Sequence, residues 1–253
     1  MKNLQLFAVA LSLFSLSLFA QESTQFLEVD YVMEVKLDAE KVLETIPASI
    51  KHQVEEPIRQ EIKQGIFVDY KLQTNSTESI FQLRQKLDNS QGQFGIIYSQ
   101  IAEGDKEPLY KNINEGYYMK SFNIGKVFLV KDTLSGLDWK ISKEKEIIAG
   151  YETYKAIGKL QDTIQISAWY APKLNIKDGP AKFWGLPGLI LKAEFEIAGM
   201  HHIITAKNIQ VKDNLEIKKP AIGKTVTEKE FEAEVKAIQE KYQEIMSGEV
   251  DKD

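Results

Sequence analysis

Hydrophobic and polar residues alternate along most of this chain, and the alternation predicts strands. Leu27, Val29, Tyr31, Met33, Val35 and Leu37 interleave with Glu28, Asp30, Glu34 and Lys36, the period-two pattern of a half-buried strand. Ile66, Val68, Tyr70 and Leu72 repeat it against Asp69, Lys71 and Gln73. Thr74-Asn75-Ser76-Thr77 then reads as a turn, with a return strand at 80–86 and a looser loop at 87–92. Strands are predicted next at 94–101, 116–122 and 126–131, each rich in Tyr, Phe, Val or Ile. Shorter runs at 137–141, 146–149 and 154–157 lead to strands at 163–170, 189–197 and 201–211. In 189–197, Leu189, Leu191, Ala193, Phe195 and Ile197 share one face, and Lys192, Glu194 and Glu196 the other.

Two segments change period. After Asp38, a candidate cap, Val42, Ile46, Ile50, Val54, Ile58 and Ile62 recur every fourth residue. Pro47 and Pro57 interrupt this stripe, which predicts two or three helical pieces or one kinked helix, ended by Gly65. Near the C-terminus, Thr227 and Glu230 form a capping box, with Val226 placed to staple onto Phe231. Phe231, Val235, Ile238, Tyr242 and Ile245 then lie on one helical face that should dock on the sheet; from Gly248 the end is polar.

The stretch 168–191 stands apart. It holds two of the three tryptophans, Trp169 and Trp184, and the punctuation residues Pro172, Gly179, Pro180 and Pro187. Pro187-Gly188 fits the central positions of a type II turn. Asp178-Gly179-Pro180 breaks regular structure. The expected form is strand, ordered aromatic loop, tight turn, strand. Such a loop either plugs one end of a β-core or presents Trp169, Tyr170, Phe183 and Trp184, with Asp178 beside them, to a ligand or partner. Gly185, Pro187 and Gly188 would set the turn.

Gly185-Leu186-Pro187-Gly188-Leu189-Ile190, extended by Leu191, resembles the signature of the GLPGLI family, secreted proteins of Bacteroidetes-type bacteria. Asp138-Trp139, Ile148, Gly150-Tyr151, Lys155-Ala156, Ala168-Trp169-Tyr170, Pro172, Gly179-Pro180 and Phe183 follow the order that family shows, so the resemblance runs over about 137–195. Members often carry a cysteine where Thr153 stands here. The family has no settled activity, and the resemblance implies export and an association with outer-membrane transport systems.

The N-terminus supports export on its own terms. Met1-Lys2 is a short positive start, 4–19 is apolar and uncharged, and Ala20 is a small residue before Gln21-Glu22-Ser23. The apolar run is shorter than the roughly 20 residues of a spanning helix. Residues 1–20 are expected to be a signal peptide cleaved before Gln21, although Leu18 is larger than usual three positions before the cut. Residues 21–253 are expected to form one domain, periplasmic, outer-membrane-associated or extracellular, and not membrane-spanning.

Composition narrows the chemistry. Of 253 residues 43% are hydrophobic, enough for a sizeable core. A net charge of −5 argues against a nucleic-acid partner. With no cysteine there is no disulfide, thiolate metal site or cysteine nucleophile. The histidines are His52, His201 and His202, and the adjacent pair points to opposite faces of a predicted strand, so no metal and no cofactor are expected. No nucleophile motif or phosphate-cradling loop occurs. Asp178 reads as a turn former, and Glu194 and Glu196 as a solvated pair. Asp132-Thr133-Leu134 and Asp162-Thr163-Ile164 match an O-glycosylation acceptor pattern of exported Bacteroidetes proteins, and equally match plain turns.

The expected fold is α+β: a mainly antiparallel curved sheet, an open half-barrel in outline, with a helical insert near the N-terminus and a docking C-terminal helix. The expected function is a non-enzymatic binding or carrier module for an apolar or glycan ligand. The alternatives are a structural partner of an envelope complex, such as an outer-membrane transport protein, and a hydrolase using carboxylates such as Asp178.

Overall fold

The computed structural model describes residues 26–84, 95–160 and 163–247. The targeting segment expected at 1–20, the loop at 87–92, Asp162 and the polar end from 248 lie outside the described residues. In chain order the elements are β1 (Phe26–Lys36), α1 (Ala39–Glu44), α2 (Ala48–Gln64), β2 (Ile66–Thr74), β3 (Glu78–Leu83), α3 (Ile96–Gly104), β4 (Leu109–Asn112), β5 (Tyr117–Asn123) and β6 (Val127–Thr133). They continue with β7 (Lys140–Ile148), β8 (Tyr151–Leu160), β9 (Ile164–Ala171), β10 (Leu189–Ile197), β11 (Met200–Lys212), β12 (Lys224–Val226) and α4 (Glu228–Ser247).

Among the described residues the strands form one open sheet of 12, ordered β12-β6-β5-β4-β3-β2-β1-β11-β10-β9-β8-β7. All pairings are antiparallel except β12 with β6. The first strand lies mid-sheet: β1 pairs with β2 on one side and β11 on the other, and each half of the chain runs outward or back as a meander. This places residues from both halves on one inner face. Tyr31 sits opposite Tyr70 and Ala206, and Met33 opposite Val68 and Ile204, all of them buried.

The helices pack on that inner face because their apolar residues need the sheet's. Leu43 of α1, Ile58 of α2 and Ile97 of α3 join the main core. Asp38 caps α1 through its side chain to the Glu40 amide, and Gly65 ends α2 with φ 85°. The insert is thus two helices, with Pro47 just before α2 and Pro57 within it. Of its apolar stripe Ile58 is buried, whereas Ile50 is 43% exposed. The capping box of α4 closes through Thr227 and Glu230, and Asp132 adds a carboxylate oxygen to the Glu228 amide at 2.8 Å. Phe231 then stacks on Phe122 at 4.6 Å and meets Phe128 edge-on at 5.7 Å. The docking fades along the helix: Tyr242 is 66% exposed.

Three expectations change. The strand expected at 94–101 is the helix α3. Ile96, Ile97 and Ile101 look like strand residues, but the Glu61 carboxylate of α2 accepts from the Ile97 and Tyr98 amides at 3.0 and 2.7 Å. A cap from elsewhere in the chain outweighs local propensity there. The runs at 137–141 and 146–149 merge into the single edge strand β7, whose irregular register between Ile141 and Lys145 hides its alternation. Finally, β10 does not alternate throughout. A bulge between Ile190 and Lys192 leaves Leu189, Ile190 and Leu191 all buried before Ala193 and Phe195 resume the inner face.

Candidate functional site

Two features converge on the inner face, a buried ion pair under the loop between β9 and β10, and an apolar cleft beside it. The loop crosses the sheet rather than leaving it. Leu174, Ile176 and Asp178 are buried in alternation with exposed Asn175 and Lys177. Backbone hydrogen bonds stitch it down, from Leu189 N to Leu174 O, Ile190 N to Asp178 O and Gly185 N to Lys177 O. Its deepest residue is Asp178, fully buried, which pairs with the equally buried Lys111 of β4 at 2.5 Å. Thr74 Oγ1 of β2 donates to Asp178 at 2.7 Å, and Lys111 Nζ donates to Gly179 O at 2.6 Å. Burial lowers the Lys111 pKa, and the Asp178 carboxylate opposes that. The Tyr31 hydroxyl, pushed well up by burial and then by Asp178, donates to Ile190 O at 2.6 Å. A loop from one half of the sheet is thereby fastened to strands of the other.

The turn is tighter than a type II turn. Gly188 N donates to Leu186 O at 2.8 Å, a three-residue turn with Pro187 at its centre. Gly188 has φ 149°, far from the roughly +80° of the type II position. A Cβ on Gly188 would lie 2.3 Å from Ala171 O, so the backbone there needs the missing side chain. Gly185 also has positive φ, at 92°.

The aromatic residues of this stretch separate. Trp169 lies on the outer face of β9, 8% exposed, with Lys192 of β10 and Lys155 of β8 over its ring at 4.3 and 5.5 Å. Tyr170 is buried against Tyr154, with ring centres 6.1 Å apart. Trp184 is half-buried, its ring nitrogen donating to Ser135 O while its own carbonyl accepts from Trp139. Phe183 is buried and meets Phe195, a wall residue of the cleft, edge-on at 5.2 Å. Thr153 is fully buried, donating to Glu146 O. Thr133 is exposed at the end of β6, and its neighbour Asp132 is engaged by the start of α4. Among the described residues no group of three or more His, Asp or Glu is placed to hold a metal ion.

The cleft has a volume of about 470 Å³ and is walled by one to three residues from each of several strands. Met33, Phe81, Phe122, Phe195 and Ile204 form its floor, and Ile101 of α3 closes one side. Its polar groups are mostly engaged with one another. The Tyr70 hydroxyl donates to Asp105 at 2.6 Å, and Lys120 reaches Asp105 at 3.0 Å and Gly104 O at 3.1 Å. Lys182 pairs with Glu228 at 2.6 Å. His202 stacks on Phe195 at 5.0 Å, with Nδ1 3.0 Å from Met200 O. No sequence motif marks this site, since each strand contributes between one and three residues. The available signal was the inner-face alternation of β1, β2, β10 and β11.

His202 gives the cleft a pH dependence that can be measured. Burial, against the Met200 carbonyl, lowers its pKa below the ordinary 6.5. Between that lowered value and 6.5 the unfolded chain binds more protons than the folded one, so this contribution to stability is complete above 6.5 and declines as the pH falls. The melting temperature should therefore drop on going from about pH 7.5 to about pH 5, and His202→Gln should make the drop shallower. Equal slopes for the two proteins would remove His202 as the cause.

The comparisons place the loop and the fold. The family described as a protein of unknown function (Porph_ging) matches residues 158–192, which span the end of β8, all of β9, the loop and the start of β10. Among solved structures, PNGF-II in its C2 crystal form is similar at 17% identity and a TM-score of 0.51, covering 83% of this chain and 32% of that one. The chain thus spans about a third of the length of PNGF-II, and the likeness is one of fold. A putative outer membrane lipoprotein-sorting protein domain from Vibrio parahaemolyticus is matched at 9% identity and a TM-score of 0.27, over 76% of this chain and 87% of that one. No curated protein matches the sequence. Among the described residues no helix is long and apolar enough to cross a membrane.

Proposed function

We propose that the protein is a non-enzymatic binding or carrier module of the cell envelope that takes an apolar ligand in the inner-face cleft. The observation that carries this reading is the wall of the cleft, which is largely aromatic and aliphatic from β1 through β5 and from β10 to β11, with Tyr70 and Lys120 both bound to Asp105 and Lys182 paired with Glu228. A concave apolar site with few converging polar groups is the usual form of a small-molecule pocket. Met33 and Met200 add side chains that can adapt to an irregular ligand. The envelope location rests on the N-terminal pattern of 1–20 and on the resemblance to exported proteins. Asp178 supports no hydrolytic role in this reading, since it is fully buried against Lys111 and Thr74. The aromatic loop contributes Ala181 and Lys182 to the lining of the cleft, with Phe183 packed against the wall residue Phe195, rather than forming a separate surface.

The test is a titration with the uncharged dye Nile red. The parent should bind it with a blue-shifted emission. Ile101→Glu, at a half-buried wall position, should weaken binding by more than about tenfold by placing a charge in the apolar site. Equal binding by parent and variant, or none by the parent, would overturn the reading.

A second reading, a structural partner of an envelope complex, draws on the exposed end of the α4 stripe at Tyr242. Crosslinking from Tyr242-proximal sites to an outer-membrane protein, with no dye binding, would favour it.

A further inference from the structure

The apolar cleft does not end at the strand ends. A second groove, of about 580 Å³, lies beyond them and shares Gln82, Glu107 and Phe122 with the first. The two hollows therefore adjoin across Gln82, Glu107 and Phe122, where the chain enters β4 through Pro108. The far wall of the outer groove is the segment that follows β11. That segment crosses the outer face of β4 to β6, with Ile217 packed on a small cluster of Tyr110, Tyr117, Met119 and Leu129. Ser121 Oγ holds it by donating to Ile222 O at 3.2 Å, and β12 anchors it to β6 immediately afterwards. Its side chain Ile222 is 75% exposed, and Val127 opposite is 39% exposed. Exposed branched aliphatic residues flanking a groove continuous with an apolar cleft are unspent contact surface.

Charge separates the two ends. In the inner cleft Lys120 is held by Asp105 and Lys182 by Glu228. The outer groove is lined by Lys218 and Lys219 with Glu107, and Glu78 and Glu115 lie near Lys219 outside the lining. Lys219 lies over the rings of Tyr110 and Tyr117, at 5.4 and 5.1 Å, and Lys218 reaches only the exposed Glu216, at 3.8 Å. Among the described residues the outer lysines thus make no ion pair shorter than 3.8 Å, whereas Lys120 and Lys182 make theirs at 3.0 and 2.6 Å.

We propose that the ligand is a single-chain amphiphile with an anionic head, its alkyl tail in the inner cleft, its chain passing over the strand ends beside Phe122, and its head at Lys218 and Lys219. This deepens the reading of the cleft as a ligand site and rests on it. The same chemistry is offered by a free fatty acid and by an anionic lysophospholipid.

The experiment measures binding of octanoate, palmitate, hexadecanol and lysophosphatidylglycerol to the parent, Ile222→Asp and Lys218→Glu, each protein also being titrated with Nile red. Ile222→Asp should weaken palmitate by about tenfold, the scale of one lost aliphatic contact, and leave octanoate and the dye unchanged. Lys218→Glu should weaken palmitate and lysophosphatidylglycerol and spare hexadecanol, which has the chain without the charge. Whichever of the two anions binds the parent more tightly identifies the source. If the dye binds every protein alike and palmitate is insensitive to both substitutions, the extended ligand is wrong while the cleft stands. If neither dye nor any amphiphile binds the parent, the reading of the cleft fails and this inference with it.

Discussion

Lys111→Met should lower the stability of the protein by about 3–5 kcal/mol, the cost of leaving a buried carboxylate without its counter-charge. Lys111 and Asp178 are both fully buried, so neither water nor screening can substitute for the lost ammonium. Asp178 keeps only the Thr74 hydroxyl, and Gly179 O loses its donor as well. Adding Asp178→Asn should recover much of the loss, because a neutral amide still accepts from Thr74 and no charge remains to be solvated. The order parent, double variant, Lys111→Met in urea midpoint is the diagnostic result. A Lys111→Met protein that unfolds at the parent's midpoint would show that the loop is held by its backbone bonds and apolar residues alone. The effect should extend to binding, since the same loop carries Ala181 and Lys182 in the lining of the cleft and Phe183 against its wall residue Phe195.

Gly188→Ala is expected to cost about 2–5 kcal/mol, combining a strained backbone with an overpacked site. The two parts can be argued separately. At φ 149° an L side chain is rarely accommodated, and the added Cβ would face Ala171 O at 2.3 Å and Ala171 C at 2.7 Å. Both obstacles are backbone atoms of β9, which is pinned by its pairing with β8 and β10. Pro187→Ala, at an exposed position, should cost less than about 1 kcal/mol, since alanine reaches the same φ and only preorganisation is lost. Thermal melts of the two variants decide the matter. If Gly188→Ala melts with the parent, the close approach of Gly188 to β9 is not maintained in solution.

The alternation along β1 and β2 was legible because buried positions there alternate strictly with more exposed ones, whereas β5 and β6, buried over consecutive residues, were legible through their Tyr, Phe, Val and Ile content. Residues 94–101 were misread as a strand because Ile96, Ile97 and Ile101 favour extended backbone, while the cap that makes them helical comes from Glu61 on another element. The four-residue strand β4 escaped notice because its inner face holds Lys111, whose burial depends on a carboxylate far along the chain. For the same reason Asp178 read as a turn former: Asp-Gly-Pro is a turn composition, and nothing local announces an ion pair. Trp169 looked like a candidate contact residue because a tryptophan beside a loop usually faces something. What it faces is Lys155 and Lys192 of the neighbouring strands, a relation set by register. The cleft was least legible, being assembled from one to three residues on each of β1 to β5, β10 and β11.

The edge strand β7 bears on how the protein behaves when concentrated. Among the described residues it ends the sheet, with Ile141 and Ile147 55% and 77% exposed, and its outward backbone groups are a template for another strand. Its centre reads Lys143-Glu144-Lys145-Glu146. In a two-fold antiparallel pairing centred on Lys143, Glu144 or Lys145, that residue lies opposite its own copy, and like charges directly opposite are unfavourable. Copies of the chain are therefore discouraged from adding edge to edge into larger assemblies, and the charge that does this contributes nothing to the core. Colloidal stability is in this way written into the one long strand that the fold leaves half-paired.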